Sequence, residues 1–147
     1  MPRQSLFAST WVYDLLKSYE KFRPTAYLPT KKDKWTIGWG HTAGVKEGDT
    51  CTVAQAETWL HDDMATAVSA IHAHCTADLT QAQFDALVSL VFNIGAGAFE
   101  ESTLLRKLND KDYGGAAVEF PKWDRQAGVE LDGLERRRLA EQKRFLA

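Results

Sequence analysis

The amino-acid sequence predicts an α+β protein, with a small strand-and-turn lobe beside a larger helical lobe and a cleft between them. Apolar residues recur at three- and four-residue steps through most of the chain, which is typical of amphipathic helices. Residues 24–50 lack this period and are punctuated by turn formers, namely Pro29, Gly38, Gly40, Gly44 and Gly48. We therefore expect a single domain over residues 1–147, with the strand lobe at about 24–50. The helical lobe comprises about 51–147 and an N-terminal helix at about 9–23.

The first predicted helix spans Ser9 to Phe22, where aromatic and leucine residues recur at helical spacing. Pro24 disfavours a helical conformation at Arg23, so the helix should end there. Glu20 then lies in the last turn, where the negative end of the helix dipole disfavours an ionised carboxylate. A carboxyl group that keeps its proton near neutral pH suits a general acid, although the charge of Arg23 acts in the opposite direction.

The segment from Trp35 to Thr42 reads WTIGWGHT and is predicted to contain a short strand. Its β-favouring residues alternate with glycines. Glycine in a strand marks a place where another backbone or a ligand approaches closely. This segment and Glu20 are therefore candidates for one wall of a binding site.

The helical lobe carries clear helix-start signals. Capping boxes at Thr52–Gln55 and Thr80–Gln83 predict helices that begin there. The first should run to about Cys75, and the second should end at Gly95 and Gly97. Shorter helices are predicted at about 103–108, 112–120 and 134–146, the second of them stopped or kinked by a proline at position 121.

The composition indicates a soluble globular protein, with 44% hydrophobic and 26% charged residues among 147. A net charge of −2 offers no basic field that would favour nucleic acid. The chain has no apolar run of about 18 residues, and its start lacks the basic flank and apolar core of a secretory signal. Cys51 and Cys75 flank one predicted helix, which would hold them roughly 30 Å apart and prevent a disulfide between them.

Five motifs in one order give the chain a resemblance to a known family. Glu20 is followed by Arg23, Tyr27 and then TIGWGHT. The second half carries LTQAQFDALVSLVFNIGAGAF, then STLLRKLN, then AAVEFPKW and finally GLERRRLAEQKRFL. Together they resemble the phage-type lysozymes, the endolysins and muramidases of glycoside hydrolase family 24. The resemblance implies a lysozyme-like fold, with a β-hairpin lobe next to a mostly helical one.

The resemblance also implies a catalytic set of Glu, Asp and Thr that acts on peptidoglycan. Glu20 matches the family's acid and Thr36 its threonine. The family's usual aspartate stands nine residues after the glutamate, where this chain has Pro29. Either Asp33 serves from a shifted position, with Thr36 helping to position water, or the second carboxylate is missing.

Further site residues follow from the same resemblance. It places Phe92 and Asn93 on the cleft wall, where an aromatic ring and an amide suit a sugar. The remaining candidates for substrate binding are Ser102, Thr103 and Glu119. The supporting candidates are Tyr27, His41, Arg136 and Arg137, of which Arg136 or Arg137 would hold the acid in place. We expect His41 to be a structural hydrogen-bonding residue rather than a catalytic one.

The predicted function is that of an endolysin, which hydrolyses the β-1,4 bond between N-acetylmuramic acid and N-acetylglucosamine. Two alternatives remain: a lytic transglycosylase that uses Glu20 alone, and a glycan-binding module without activity, which Pro29 would explain. We expect no metal or other cofactor, a monomer, and no nucleic-acid partner. The protein should stay in the host cytoplasm until lysis and reach the periplasmic wall with the help of a holin.

Overall fold

The computed structural model describes residues 6–126, 129–130 and 132–147. The helices are α1 Thr10–Glu20, α2 Val53–His74, α3 Gln81–Ile94, α4 Ala96–Glu100, α5 Thr103–Asn109, α6 Tyr113–Glu119 and α7 Asp132–Phe145. The strands are β1 Arg23–Tyr27, β2 Thr36–Gly38, β3 Arg125–Gln126 and β4 Val129–Glu130. A mostly helical chain with a small antiparallel sheet confirms the predicted α+β class.

The strand lobe is an antiparallel hairpin of β1 and β2, irregular in the middle, with Arg23 opposite Gly38 and Tyr27 opposite Thr36. Gly38 has a φ of +66°, and a Cβ atom there would lie 3.0 Å from the Cβ of Ala56 on α2. The glycine thus lets the hairpin pack closely against the helical lobe, as predicted for this strand. This contact fixes the floor of the cleft relative to the helices.

Both predicted capping boxes are present. The side chains of Thr52 and Thr80 each accept a hydrogen bond from the amide three residues on, and the glutamine there bonds back to the threonine amide. Gly95 ends α3 with a φ of +92°. Gly97 does not end a helix, because the chain re-enters a short helix, α4, just after Gly95. The break at Gly95 separates α3 from α4, and the last residues of α3 line the cleft.

Helix α3 runs through the centre of the helical lobe, and every residue from Phe84 to Val91 is buried. Two of these buried residues are polar and are bonded across to α7. Ser89 donates a 2.5 Å hydrogen bond to Glu141, and Asp85 accepts a 2.9 Å bond from Arg144. The packing of α7 on α3 therefore depends on specific polar contacts as well as on apolar burial.

The segment after α6 contains a 3-10 turn and a short hairpin, neither of which was predicted as such. Pro121 lies in a 3-10 turn, Phe120–Lys122, which ends the helix where the proline predicted an interruption. The short hairpin of β3 and β4 follows, with Arg125 opposite Glu130. Neither strand has more than two residues, so neither shows a detectable alternating pattern.

Cys51 and Cys75 are not joined by a disulfide, in agreement with the prediction. Among the described residues, no helix has both the length and the apolar character needed to cross a bilayer.

Candidate active site

A cleft of about 820 Å³ opens between the two lobes. Glu20, Asp33 and Thr36, the three predicted catalytic residues, all line it. The opposite wall is formed by the end of α3, with Phe92 and Asn93, and by the start of α7, with Arg137. The sequence prediction of a polymer-sized cleft between the lobes therefore agrees with the structure.

Glu20 lies in the last turn of α1, as predicted, and is its last residue, because the helix ends before the predicted Phe22. Its Oε1 atom accepts a 2.6 Å bond from Nη1 of Arg137, whose side chain is 5% exposed against 16% for that of Glu20. The guanidinium also lies over the ring of Tyr19, 5.5 Å from its centroid. Between the candidates Arg136 and Arg137, the structure selects Arg137, while Arg136 is exposed.

The other carboxylate oxygen of Glu20 is packed against Gly40. Gly40 has a φ of +78°, and a Cβ atom there would lie 2.8 Å from both Cδ and Oε2 of Glu20. A side chain at this position would overlap the carboxylate, and the backbone conformation itself favours glycine. Glu20 is therefore held between a cation from α7 and the turn that follows β2.

Asp33 lies on the loop between β1 and β2, and Thr36 is the first residue of β2. The amide of Asp33 donates to the carbonyl of Thr30 at 3.1 Å, and the hydroxyl of Thr30 donates to Oδ2 of Asp33 at 2.9 Å. The Thr36 hydroxyl donates to the carbonyl of Lys34 at 2.9 Å. That bond uses the hydroxyl proton, so the oxygen lone pairs of Thr36 can accept a bond from water. Pro29 also lines the cleft but offers no side-chain acceptor.

Tyr27 ends β1 and lines the same cleft. Burial raises the pKa of its phenol, and the negative charges of Glu20 and Asp33 raise this pKa further, whereas Arg23 lowers it. The phenol therefore keeps its proton at neutral pH and can donate a hydrogen bond in the cleft. The charges of both candidate carboxylates thus act on the phenol of Tyr27.

The far wall contains Phe92 and Asn93, both partly buried, together with Trp123. The Oδ1 atom of Asn93 accepts a 2.9 Å bond from Nη1 of the buried Arg138. Trp123 packs against the hydrophobic core and also lines the cleft. Two aromatic rings and an amide are the groups expected on a surface that binds sugar rings.

Ser102, Thr103 and Glu119 are not among the described residues that line the cleft. Ser102 caps α5, accepting from the amide of Leu105 at 3.0 Å, and Thr103 is the first residue of that helix. Glu119 is 5% exposed and accepts hydrogen bonds from Lys122 and Lys107. These bonds lower the pKa of its carboxyl group. The described contacts are thus a helix cap for Ser102 and ion pairs for Glu119, and the assignment of Ser102, Thr103 and Glu119 to substrate binding stays a prediction.

His41 has the structural contacts that were predicted for it. Its Nδ1 lies 2.8 Å from Oδ2 of Asp63, and its ring stacks on Trp59 with centroids 4.6 Å apart. Burial raises the pKa of Asp63, while the bond to His41 lowers it. His41 thereby joins the strand lobe to α2.

Arg138, Glu141 and Gly40 belong to the site's support but were not predicted. Arg138 Nε lies 2.7 Å from Oε1 of Glu141, and both side chains are fully buried. The available signal was the spacing of Leu134, Arg138, Glu141 and Phe145, which places the two charged residues on the apolar face of α7. No group of metal-ligating side chains is found among the described residues.

Comparison with known proteins gives consistent matches. The sequence model described as phage lysozyme matches residues 17–141. The endolysin of Acyrthosiphon pisum secondary endosymbiont phage 1 is 44% identical over 135 residues, covering 89% of this chain and 92% of that protein. The endolysin of Salmonella phage P22 is 42% identical over 137 residues, covering 90% and 92%. The solved muramidase domain of SpmX from Asticcacaulis excentricus superimposes with a TM-score of 0.84 at 36% identity, covering 97% of this chain and 99% of that chain.

Proposed function

Because this chain belongs to the phage lysozyme family, we propose that it is an endolysin with muramidase activity. It hydrolyses the β-1,4 bond between N-acetylmuramic acid and N-acetylglucosamine in peptidoglycan. The observation that carries the proposal is the placement of Glu20 in the interlobe cleft, held on one side by Arg137 and on the other by Gly40. A carboxyl fixed in this way can meet a glycosidic oxygen with little reorganisation.

In the proposed reaction, Glu20 donates its proton to the leaving oxygen as the glycosidic bond breaks. The carboxylate that remains is then paired with Arg137, which already lies 2.6 Å from Oε1. Such a charge-assisted bond stabilises the carboxylate that forms in the transition state. Tyr27, with its phenol protonated, provides a neighbouring hydrogen-bond donor.

The attacking water is assigned to Asp33 and Thr36. Asp33 accepts its proton, and the lone pairs of Thr36 orient it, because the threonine hydroxyl proton is directed to Lys34. Direct attack by water inverts the anomeric carbon, a geometry in which the two carboxyl groups stand roughly 6.5–9.5 Å apart. The hydrogen bonds to Thr30 support this role because they fix the backbone and the carboxylate of Asp33.

Product analysis tests the reaction type. Purified Gram-negative peptidoglycan is digested with the parent protein, and the released muropeptides are identified by mass spectrometry. Reducing-end products support a hydrolase, whereas anhydro-muramic ends would identify a lytic transglycosylase. Cell-wall binding without any product would leave a glycan-binding module as the better account.

The role of Asp33 has its own test. Asp33→Asn keeps the size of the side chain and its acceptor for Thr30, but it removes the base. We expect the rate on peptidoglycan to fall by at least about 10²-fold, the range of a general base. Thr30→Val removes the bond that fixes the carboxylate but leaves the base itself, so it should lower the rate by less than Asp33→Asn does. Full activity of Asp33→Asn would exclude Asp33 from the mechanism.

We further propose that the protein accumulates in the host cytoplasm and needs a holin to reach the periplasmic wall. The lack of a described membrane-spanning helix is compatible with this route. Fractionation of intact cells that express the protein without a holin should find it in the cytoplasm. Its presence in the periplasm of such cells would refute the dependence.

We also propose that the protein acts as a monomer. Sedimentation velocity under assay conditions should show a single species with the mass of one chain. A dimer that carries the activity would contradict this part of the proposal.

A further inference from the structure

Arg138 is the largest fully buried side chain in the described part of the protein and lies behind the cleft wall. Both carboxylate oxygens of Glu141, one turn further along α7, contact its guanidinium. Nε lies 2.7 Å from Oε1 of Glu141, and Nη2 donates to Oε2 at 3.1 Å. Ser89 on α3 fixes Glu141 in turn by a 2.5 Å bond. The position of this guanidinium is therefore set by contacts remote from the cleft.

The remaining nitrogen of Arg138, Nη1, points to the cleft wall and donates to Asn93 at 2.9 Å. A guanidinium has five donors and no acceptor. The atom of the Asn93 amide that faces it must therefore be the oxygen, and the amide nitrogen must be turned the other way. No described residue accepts a hydrogen bond from that nitrogen, and Asn93 lines the cleft.

From this arrangement we infer that Arg138 is a positioning residue, which fixes Asn93 as a hydrogen-bond donor toward the acetamido carbonyl of a sugar ring in the cleft. Sugar hydroxyls both donate and accept, so they would be compatible with either orientation of an amide. The acetamido carbonyl only accepts, so it requires a donor, and a protonated amine in its place would have no acceptor for that donor. The inference rests on the proposed action on peptidoglycan, in which both sugars carry an N-acetyl group.

The test compares initial rates on two substrates: peptidoglycan glycan strands, and the same strands after chemical de-N-acetylation. A sample that is acetylated again controls for damage by the treatment. We define the acetyl preference as the ratio of kcat/KM on the first substrate to that on the second. The parent should prefer the acetylated strands, and Asn93→Ala should lower this preference about tenfold, the effect of one neutral hydrogen bond.

Asn93→Asp is a sharper variant, because it keeps the shape and can still accept from Arg138. Its second oxygen would face the cleft as an acceptor, opposite the acetamido carbonyl. We expect its acetyl preference to fall at least as far as that of Asn93→Ala. A preference equal to that of the parent in both variants would overturn the inference.

The role of Arg138 is tested by a double-mutant cycle. Arg138→Lys keeps the positive charge beside Glu141 but loses the planar guanidinium, whose Nη1 donates to Asn93. It should lower the acetyl preference in the parent and leave it unchanged in the Asn93→Ala background. Arg144→Lys is the matched control, since Arg144 is also on α7 and pairs with buried Asp85 at 2.9 Å. This control should lower the unfolding temperature without changing the preference.

An equal effect of Arg138→Lys on both substrates, in both backgrounds, would show a purely structural role and refute the positioning. A parent enzyme that cleaves both substrates at one rate would refute the inference while leaving the muramidase function intact. A parent that cleaves neither would overturn the proposed function and the inference with it. The two failures are thus distinguished by one set of assays.

Discussion

Replacing Gly40 by alanine should inactivate the enzyme by moving Glu20. The added Cβ would lie 2.8 Å from Cδ and Oε2 of the carboxylate, well inside ordinary van der Waals contact. Relief of that overlap requires the carboxylate to shift by several tenths of an ångström or more, away from its present place beside Arg137. A misplacement on the order of 1 Å can lower the rate by about 10²-fold.

The substitution also has a conformational cost, since Gly40 has a φ of +78°. An alanine in the left-handed region costs roughly 1–2 kcal/mol. In a domain of this size that corresponds to a fall of roughly 2–8 °C in the unfolding temperature. Stability and activity must therefore be measured together, because the strain alone would lower the amount of folded enzyme.

Gly44→Ala separates the two effects. Gly44 has a φ of +71°, and a Cβ atom there would have no neighbouring atom within 4 Å, so the variant carries similar strain without the overlap. Thermal unfolding followed by circular dichroism should show comparable destabilisation of both variants. Initial rates on peptidoglycan, taken below both transitions, should fall about 10²-fold for Gly40→Ala and remain near the parent value for Gly44→Ala. Equal activities of the two variants would refute the argument that Gly40 positions the carboxylate.

Two further predictions concern stability. Leu87 is fully buried on α3. Leu87→Ala should therefore lower the free energy of unfolding by roughly 2–5 kcal/mol without changing the specific activity of the folded enzyme. Urea unfolding measures this free energy, and an unchanged value would show that the core is assigned wrongly. The bonds to Lys122 and Lys107 lower the pKa of Glu119 in the folded protein. These contacts therefore stabilise the fold at pH values above the ordinary glutamate pKa of 4.5. The stabilisation is lost as the pH falls through the lower pKa of the folded state. Glu119→Gln should therefore reduce the acid dependence of the unfolding free energy below about pH 4.5, and an unchanged pH slope would contradict the assignment.

The helices were predictable where their signals are local. The capping boxes at Thr52 and Thr80 each lie within four residues, and the sequence therefore identified the starts of α2 and α3. Pro24 likewise predicted an end near Arg23, and α1 ends three residues earlier, at Glu20. By contrast, glycine alone does not determine which helix it interrupts, and Gly97 lies inside α4 instead of ending α3.

The resemblance predicted an arginine partner for Glu20, but the other supporting contacts were not predictable because they join residues far apart in the chain. The partner of Glu20 lies 117 positions away, and the choice of Arg137 over Arg136 depends on how α7 is rotated against α3. The role of Gly40 depends on where the turn after β2 meets α1. Ser102 lies at the N-cap of α5 and Glu119 at the end of α6, where their described contacts are a helix cap and ion pairs. Their part in substrate binding stays a prediction.

The central claim is that Glu20 drives hydrolysis of peptidoglycan, and its most direct test uses water enriched in the heavy oxygen isotope. The parent protein and Glu20→Gln are each incubated with purified peptidoglycan in that water, and the products are analysed by mass spectrometry. The account predicts heavy oxygen at each new reducing end from the parent, and no new ends from Glu20→Gln at equal folded concentration. Products without heavy oxygen, or undiminished cleavage by Glu20→Gln, would contradict it.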